Sequence, residues 1–195
     1  MTRAAFLLVI AFMLSGCQTG ADGRVPFARY DFWRGAAIRF EPWPGESDSP
    51  EVMASVVPGD QTVLALTEGY ARGSGSSAHS SHESFYFALP STIQPGDQFD
   101  VDPADGTFAY DRWGGWFWYA IDSSKPAMLH VEILDVQEDR LVARVLVDLP
   151  VLAEPEYRNP ERECVVPGRV QVNDVFTLHR RMSTHLLDPE GRDAE

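Results

Sequence analysis

Met128-Leu129-His130-Val131-Glu132-Ile133-Leu134-Asp135-Val136, then Gln137-Glu138-Asp139-Arg140, then Leu141-Val142-Ala143-Arg144-Val145-Leu146-Val147-Asp148-Leu149 is the stretch that decides the fold class. In its first run Leu129, Val131 and Ile133, with Asp135 in phase, alternate with Met128, His130, Glu132 and Leu134. In its second run Leu141, Ala143, Val145 and Val147 alternate with Val142, Arg144, Leu146 and Asp148. A period of two belongs to an extended strand, because successive Cβ atoms leave opposite faces of the pleat. Polar residues gather on one face of each run, as an antiparallel sheet with one core side and one solvated side requires. The four polar residues between the runs make a turn, so the runs are expected to pair as the central hairpin of a sheet. Ile133 and Val145 then belong to the core, and Glu132 and Arg144 to the solvent face.

The same period recurs on both sides. Ala37 to Phe40 reads as a weak first strand ended by Pro42. Glu51 to Val57 and Gln61 to Glu68 read as a hairpin turned by Pro58-Gly59-Asp60, since proline fixes φ and glycine accepts positive φ. Gly69 to Ser81 is rich in glycine and serine and reads as a flexible loop. Glu83 to Leu89 resumes the alternation, with Phe85, Phe87 and Leu89 as core. Turns at Pro95-Gly96-Asp97 and Pro103-Ala104-Asp105-Gly106 set off Gln98 to Val101 and Thr107 to Tyr110, and Trp116 to Ile121 follows. Val151 to Gly168 reads as a long loop or partial edge strand, and Arg169 to Arg180 as the last strand, bulged at Asn173-Asp174. No stretch has a helical period. About nine or ten short strands without helices define an all-β chain. Its uneven turns favour an antiparallel β-sandwich, with a partly closed β-barrel as the alternative.

The N-terminus says where such a domain would sit. Behind Arg3 come the apolar residues Ala4 to Leu14 and then Ser15, Gly16 and Cys17, the charged, apolar, small-residue order of an export signal. An apolar helix of about 11 residues is about 16 Å long, roughly half the hydrocarbon thickness of a bilayer, and does not span it. Leu14-Ser15-Gly16-Cys17 resembles the lipobox of bacterial lipoproteins at every position. The resemblance implies that 1–16 is a removed signal peptide and that Cys17 becomes the diacylglyceryl-modified, acylated first residue. It also implies a membrane as partner through the lipid anchor, and Gln18 rather than Asp after the cysteine implies the outer membrane. Residues 17–30 are then the lipidated cysteine and a flexible tether, 31–185 a single β-domain, and 186–195 a frayed tail.

The whole chain of 195 residues carries 16 basic and 29 acidic residues, a net charge of −13, and loss of the signal peptide removes only Arg3, leaving −14. So acidic a domain lacks the basic face that releases counterions from nucleic acid, so no nucleic acid is expected as partner. With Cys17 lipidated, Cys164 is alone, and no disulfide forms within the mature chain.

Three constellations could carry chemistry. His79, His82 and Glu83 offer zinc or copper ligands, although a loop does not place its histidines on a common face. Asp100, Asp102 and Asp105 resemble a calcium loop in spacing, but with the third aspartate one place late and Pro103 restricting the backbone. Trp113, Trp116 and Trp118 lie in an aromatic segment, Trp113 to Tyr119, that has apolar side chains on both strand faces and could stack on a glycan. No enzyme motif stands up: Gly73-Ser74-Gly75-Ser76 lacks the nucleophile elbow, and nothing marks a phosphate loop. The sequence therefore points to a lipid-anchored, non-catalytic binding or assembly module of the envelope, facing the periplasm or cell surface, with no resident cofactor and an envelope protein or glycan as partner. An envelope hydrolase or metal-dependent enzyme at the His79/His82 loop, and a peptidoglycan binder at the tryptophans, are the alternatives.

Overall fold

The computed structural model describes residues 24–42, 52–72, 81–113, 117–155 and 166–182. Within them the chain forms nine strands and no helix: β1 (Arg24–Pro42), β2 (Val52–Arg72), β3 (Ser81–Leu89), β4 (Gln98–Asp100), β5 (Phe108–Trp113), β6 (Phe117–Ile121), β7 (Met128–Val136), β8 (Arg140–Pro155) and β9 (Val166–Arg180). They make one sheet in the order β4-β7-β8-β9-β1-β2-β3-β5, with β6 pairing the part of β8 that β7 leaves free. The sheet folds over as a sandwich and does not close into a barrel.

The hairpin that decided the fold class is β7 and β8. Val131 stands opposite Val145 and Glu132 opposite Arg144, whose guanidinium donates to the Glu132 carboxylate at 2.9 Å. Leu129, Val131, Ile133 and their partners on β8 are buried, as the alternation requires. The register shifts between Ile133 and Asp135, which makes Leu134 an exposed bulge residue. Past an extra residue the inward phase changes hands. Val136 therefore packs against the core, and Asp135 leaves it to accept a hydrogen bond from Arg140 at 2.8 Å.

Inward residues of two layers form the main core. Phe32, Leu64, Phe87 and Phe108 come from the β1-β2-β3-β5 layer, and Val131, Ile133, Val145 and Leu178 from the β7-β8-β9 layer. Burying each large apolar side chain contributes about 1.5–3 kcal/mol. The layers join where β1 meets β9, at Asp31 opposite His179 and Phe32 opposite Arg180. That contact is parallel, so the expected purely antiparallel sheet is in fact mixed. Asp31 is buried there and receives Arg29 at 2.5 Å and Arg181 at 2.9 Å, which compensates its desolvation and ties the end of β9 to β1.

Pro58-Gly59-Asp60 is not a turn. β2 runs through it, paired with β1 from Arg24↔Arg72 to Pro42↔Val52, and the register shifts opposite Gly35 and Ala36. Gly35 has φ of 66°, and a Cβ on Gly59 would lie 2.6 Å from that of Ala37, so both glycines are needed for the close crossing. Beyond the bulge Ala36 and Val56 join Trp33, Val63, Ala65 and Tyr86 in a second, smaller core on the outer face of the first layer. Both faces of β2 and β3 are thereby covered, which is why Ser84, Tyr86 and Ala88 are buried along with Phe85, Phe87 and Leu89. Proline-glycine-aspartate marks a kink in either setting, and only the long-range partner distinguishes bulge from turn.

Three other boundaries differ from the reading of the sequence. β1 begins at Arg24, inside the expected tether, because β2 continues to Arg72 and supplies it with a partner. β8 continues through Val151 to Pro155, paired on both sides by β6 and β9, where a loop or partial edge strand was expected. The bulge expected at Asn173-Asp174 is absent, since Val172, Asn173 and Asp174 pair in order with Val147, Leu146 and Val145.

Candidate binding cleft

From their junction β1 and β9 diverge toward their N-terminal ends. The Arg181 N–H donates to the Phe32 carbonyl and the Arg180 N–H to the Asp139 carbonyl, both at 2.9 Å. Backbone groups alternate in direction along a strand, so the odd residues of β9 face β1 and the even ones face β8. From Arg169 to Thr177 these odd residues meet no partner strand among the described residues. The Val175 N–H donates instead to the Asp174 carboxylate next to it, at 2.5 Å. On the other side of the gap Pro26, Ala28 and Tyr30 share the direction of Phe32, and Pro26 has no N–H to offer. Pro26 and Ala28 are exposed although they continue the inward phase of Tyr30 and Phe32, because the facing layer has moved away.

The gap leads into a cavity of about 90 Å³ between the layers. Its floor is apolar: Leu66, Phe85, Val170, Val172 and Phe176. At the closed end Tyr30 meets Phe176 edge to face, with centroids 4.9 Å apart. The rim is charged, with Glu68, Glu83 and Arg112 from the first layer and Arg169 and Gln171 from β9.

Glu68 and Glu83 stand directly opposite each other across β2 and β3, and Arg112 stands opposite Glu83 on β5. The Tyr30 hydroxyl donates to Glu68, and the Tyr110 hydroxyl donates to Glu83 at 2.7 Å, with Arg112 at 3.6 Å from the same carboxylate. Burial first, and the adjacent glutamates next, push both tyrosines well above the ordinary tyrosine range, so they remain protonated donors. Across the cleft Arg169 makes a two-pronged contact with Asp148, which Gln171 also reaches at 3.2 Å. These hydrogen bonds, Arg169 first, hold the Asp148 carboxyl below the usual carboxylate range. Arg169 is thus neutralised from its own layer. Among the cavity's lining residues the carboxylates of Glu68 and Glu83 outnumber the guanidinium of Arg112, since Arg169 is paired with Asp148. Such a site suits a cationic group carried beside an apolar one.

Of the residues singled out from sequence, Glu83 lies on this rim. His82 does not accompany it, because neighbours on a strand point to opposite faces. The His82 ring lies on the outer face, 3.2 Å from Asp111. His79, Cys17 and Trp116 lie outside the described residues. Trp113 ends β5 opposite His82 and Trp118 lies in β6 opposite Glu154, while their side chains are outside the described residues. In the Asp100–Gly106 stretch Asp102 accepts the Ala104 N–H at 2.8 Å and Asp100 pairs with His130 at 2.7 Å, so two of its carboxylates have partners within the chain. Sequence reading missed Glu68, Tyr30, Tyr110 and Arg112. Its available signal was Glu68 and Glu83 continuing the core phases of Leu66 and Phe85 at strand ends. Comparison of the chain with protein-family models, with curated proteins and with solved structures found no match.

Proposed function

We propose that this is a lipid-anchored protein of the bacterial envelope, held on the outer membrane through Cys17 with its domain facing the periplasm or cell surface. The domain acts as a non-catalytic binding module, and the cleft between β9 and the β2-β3 strands is its binding site. The anchor rests on the lipobox residues Leu14 to Cys17. The observation that supports binding is a split between β1 and β9 whose apolar floor lies beneath a rim of two opposed glutamates. A concave apolar surface with a few convergent polar groups is the common form of a recognition site. Both rim carboxylates accept tyrosine hydroxyls, an arrangement that fixes their positions for contact with a ligand.

A photo-crosslinking side chain placed at Val172 in growing cells tests the reading, with Leu134 on the exposed bulge as control. A discrete envelope adduct from Val172 and none from Leu134 is expected. Equal labelling at both positions contradicts the site, and no labelling at Val172 contradicts an envelope ligand for it. Cys17→Ser should shift the protein from membranes to the soluble fraction, or leave an uncleaved precursor. A Ser variant that is still acylated contradicts the anchor.

A further inference from the structure

We infer that the occupant of the cleft is an extended basic peptide segment of another protein, added as a strand to the open edge of β9. This rests on the reading of the cleft as the binding site and names its ligand. Three independent features converge on it. First, the odd residues from Arg169 to Thr177 present backbone donors and acceptors toward the gap without a strand partner among the described residues. The stretch 169–177 spans about 30 Å, enough for a peptide of seven to nine residues at about 3.3 Å each. The contact of Asp174 with the Val175 N–H is a local substitute for such a partner, of the kind that keeps a free edge from pairing indiscriminately.

Second, a strand beside β9 would turn alternate side chains toward the facing layer, over Leu66 and Phe85. The cavity there accepts one or two aliphatic side chains. Third, the facing rim is acidic. Glu68 and Glu83 oppose one another with like charge, an arrangement that a lysine or arginine between them relieves. Displacement of Asp174 from the Val175 amide frees a third carboxylate on the same inward phase. The β1 side of the gap, with Pro26, is the poorer template, so β9 is the edge that pairs.

The test uses the purified full chain and a labelled nine-residue peptide, blocked at both ends, whose odd positions are lysine and valine in turn and whose even positions are serine, so that one strand face carries both the basic and the aliphatic side chains. Its glutamate-for-lysine counterpart and spermidine are the comparison probes. The lysine peptide is expected to bind at least about tenfold more tightly than the glutamate peptide, and more weakly as salt is raised. Binding should slow amide exchange at Gln171 and Asn173. Glu68→Gln with Glu83→Gln should weaken it about tenfold, and so should Asn173→Pro, which removes one edge-facing N–H while leaving the β8 side intact. Equal affinity for the two peptides, indifference to these variants, or displacement by spermidine without any change at β9 overturns the inference. If Val172 crosslinks an envelope component that the lysine peptide does not displace, the cleft remains the site and strand addition is wrong. If the peptide protects β9 while Val172 captures nothing in cells, strand addition stands and the envelope reading falls.

Discussion

Glu68 occupies a place where the alternation of β2 would put a core residue, two positions past Leu66 and directly opposite Glu83. Like charges facing each other across a strand pair cost about 0.2–1 kcal/mol. Glu68→Gln should therefore hold or slightly raise the melting temperature even as it weakens binding. A clear drop in stability would show that Glu68 has a structural role instead. Tyr110→Phe, which deprives Glu83 of its hydroxyl donor, should cost about 1 kcal/mol in a denaturant titration. Tyr86, together with Tyr30 and Tyr110, gives an alkaline pH dependence. Burial, with Asp111 second, pushes the Tyr86 phenol up from the ordinary tyrosine range to about 12. The folded state then keeps a proton that the unfolded state loses, so stability is full below about pH 10 and falls as pH rises from there toward 12. In Tyr86→Phe that alkaline loss should be smaller, as read by melting temperature between about pH 10 and 12. Identical profiles would contradict the assignment.

Among the elements, the 128–149 hairpin was legible because its alternation is regular and its turn is local. Ile133→Asp or Val145→Asp should cost several kcal/mol unless the new carboxyl takes up a proton, whereas Arg144→Glu on the solvent face should cost about 0.5 kcal/mol. A melt in which the surface change hurts as much as the core ones would reverse the faces. Of the outer hairpin, Ala37 to Phe40 and the two halves of β2 were legible as strand, but those halves were expected to pair with each other, whereas they run on as one strand beside β1. Gly59→Val tests the bulge: with Ala37 Cβ only 2.6 Å from the new Cβ, the arm that covers Trp33 and Tyr86 must shift. A loss of about 1–3 kcal/mol is expected, and a neutral change would mean that Gly59 sits in open space. The bulge at Leu134 was hidden for a related reason. Asp135 continued the apparent core phase, and only the burial cost of its charge argues for a slip of one residue.

Across the whole molecule, the layers and their apolar faces follow from period-two patterning, while the cleft follows from which strands become neighbours. β1 and β9 lie more than a hundred residues apart in the chain and meet at two residue pairs, a non-local parallel contact that no local pattern announces. The rim glutamates were visible as residues, and their pairing with Tyr30 and Tyr110 depended on β1 lying beside β2 and β5 beside β3. The aromatic segment drew attention from sequence for its composition, whereas the described side chains that converge on a concave surface belong to ordinary strands. Asp31 closes the apex of the split through Arg29 and Arg181. Everything proposed for recognition depends on the split being open below that apex. Native-state amide exchange of the ligand-free protein, read residue by residue along β9, tests this most directly. An open split gives slow exchange at Val170 and Val172, which face β8, and fast exchange at Gln171 and Asn173, which face the gap. Equal protection of odd and even residues would mean that β9 is paired on both edges, and would contradict an open cleft.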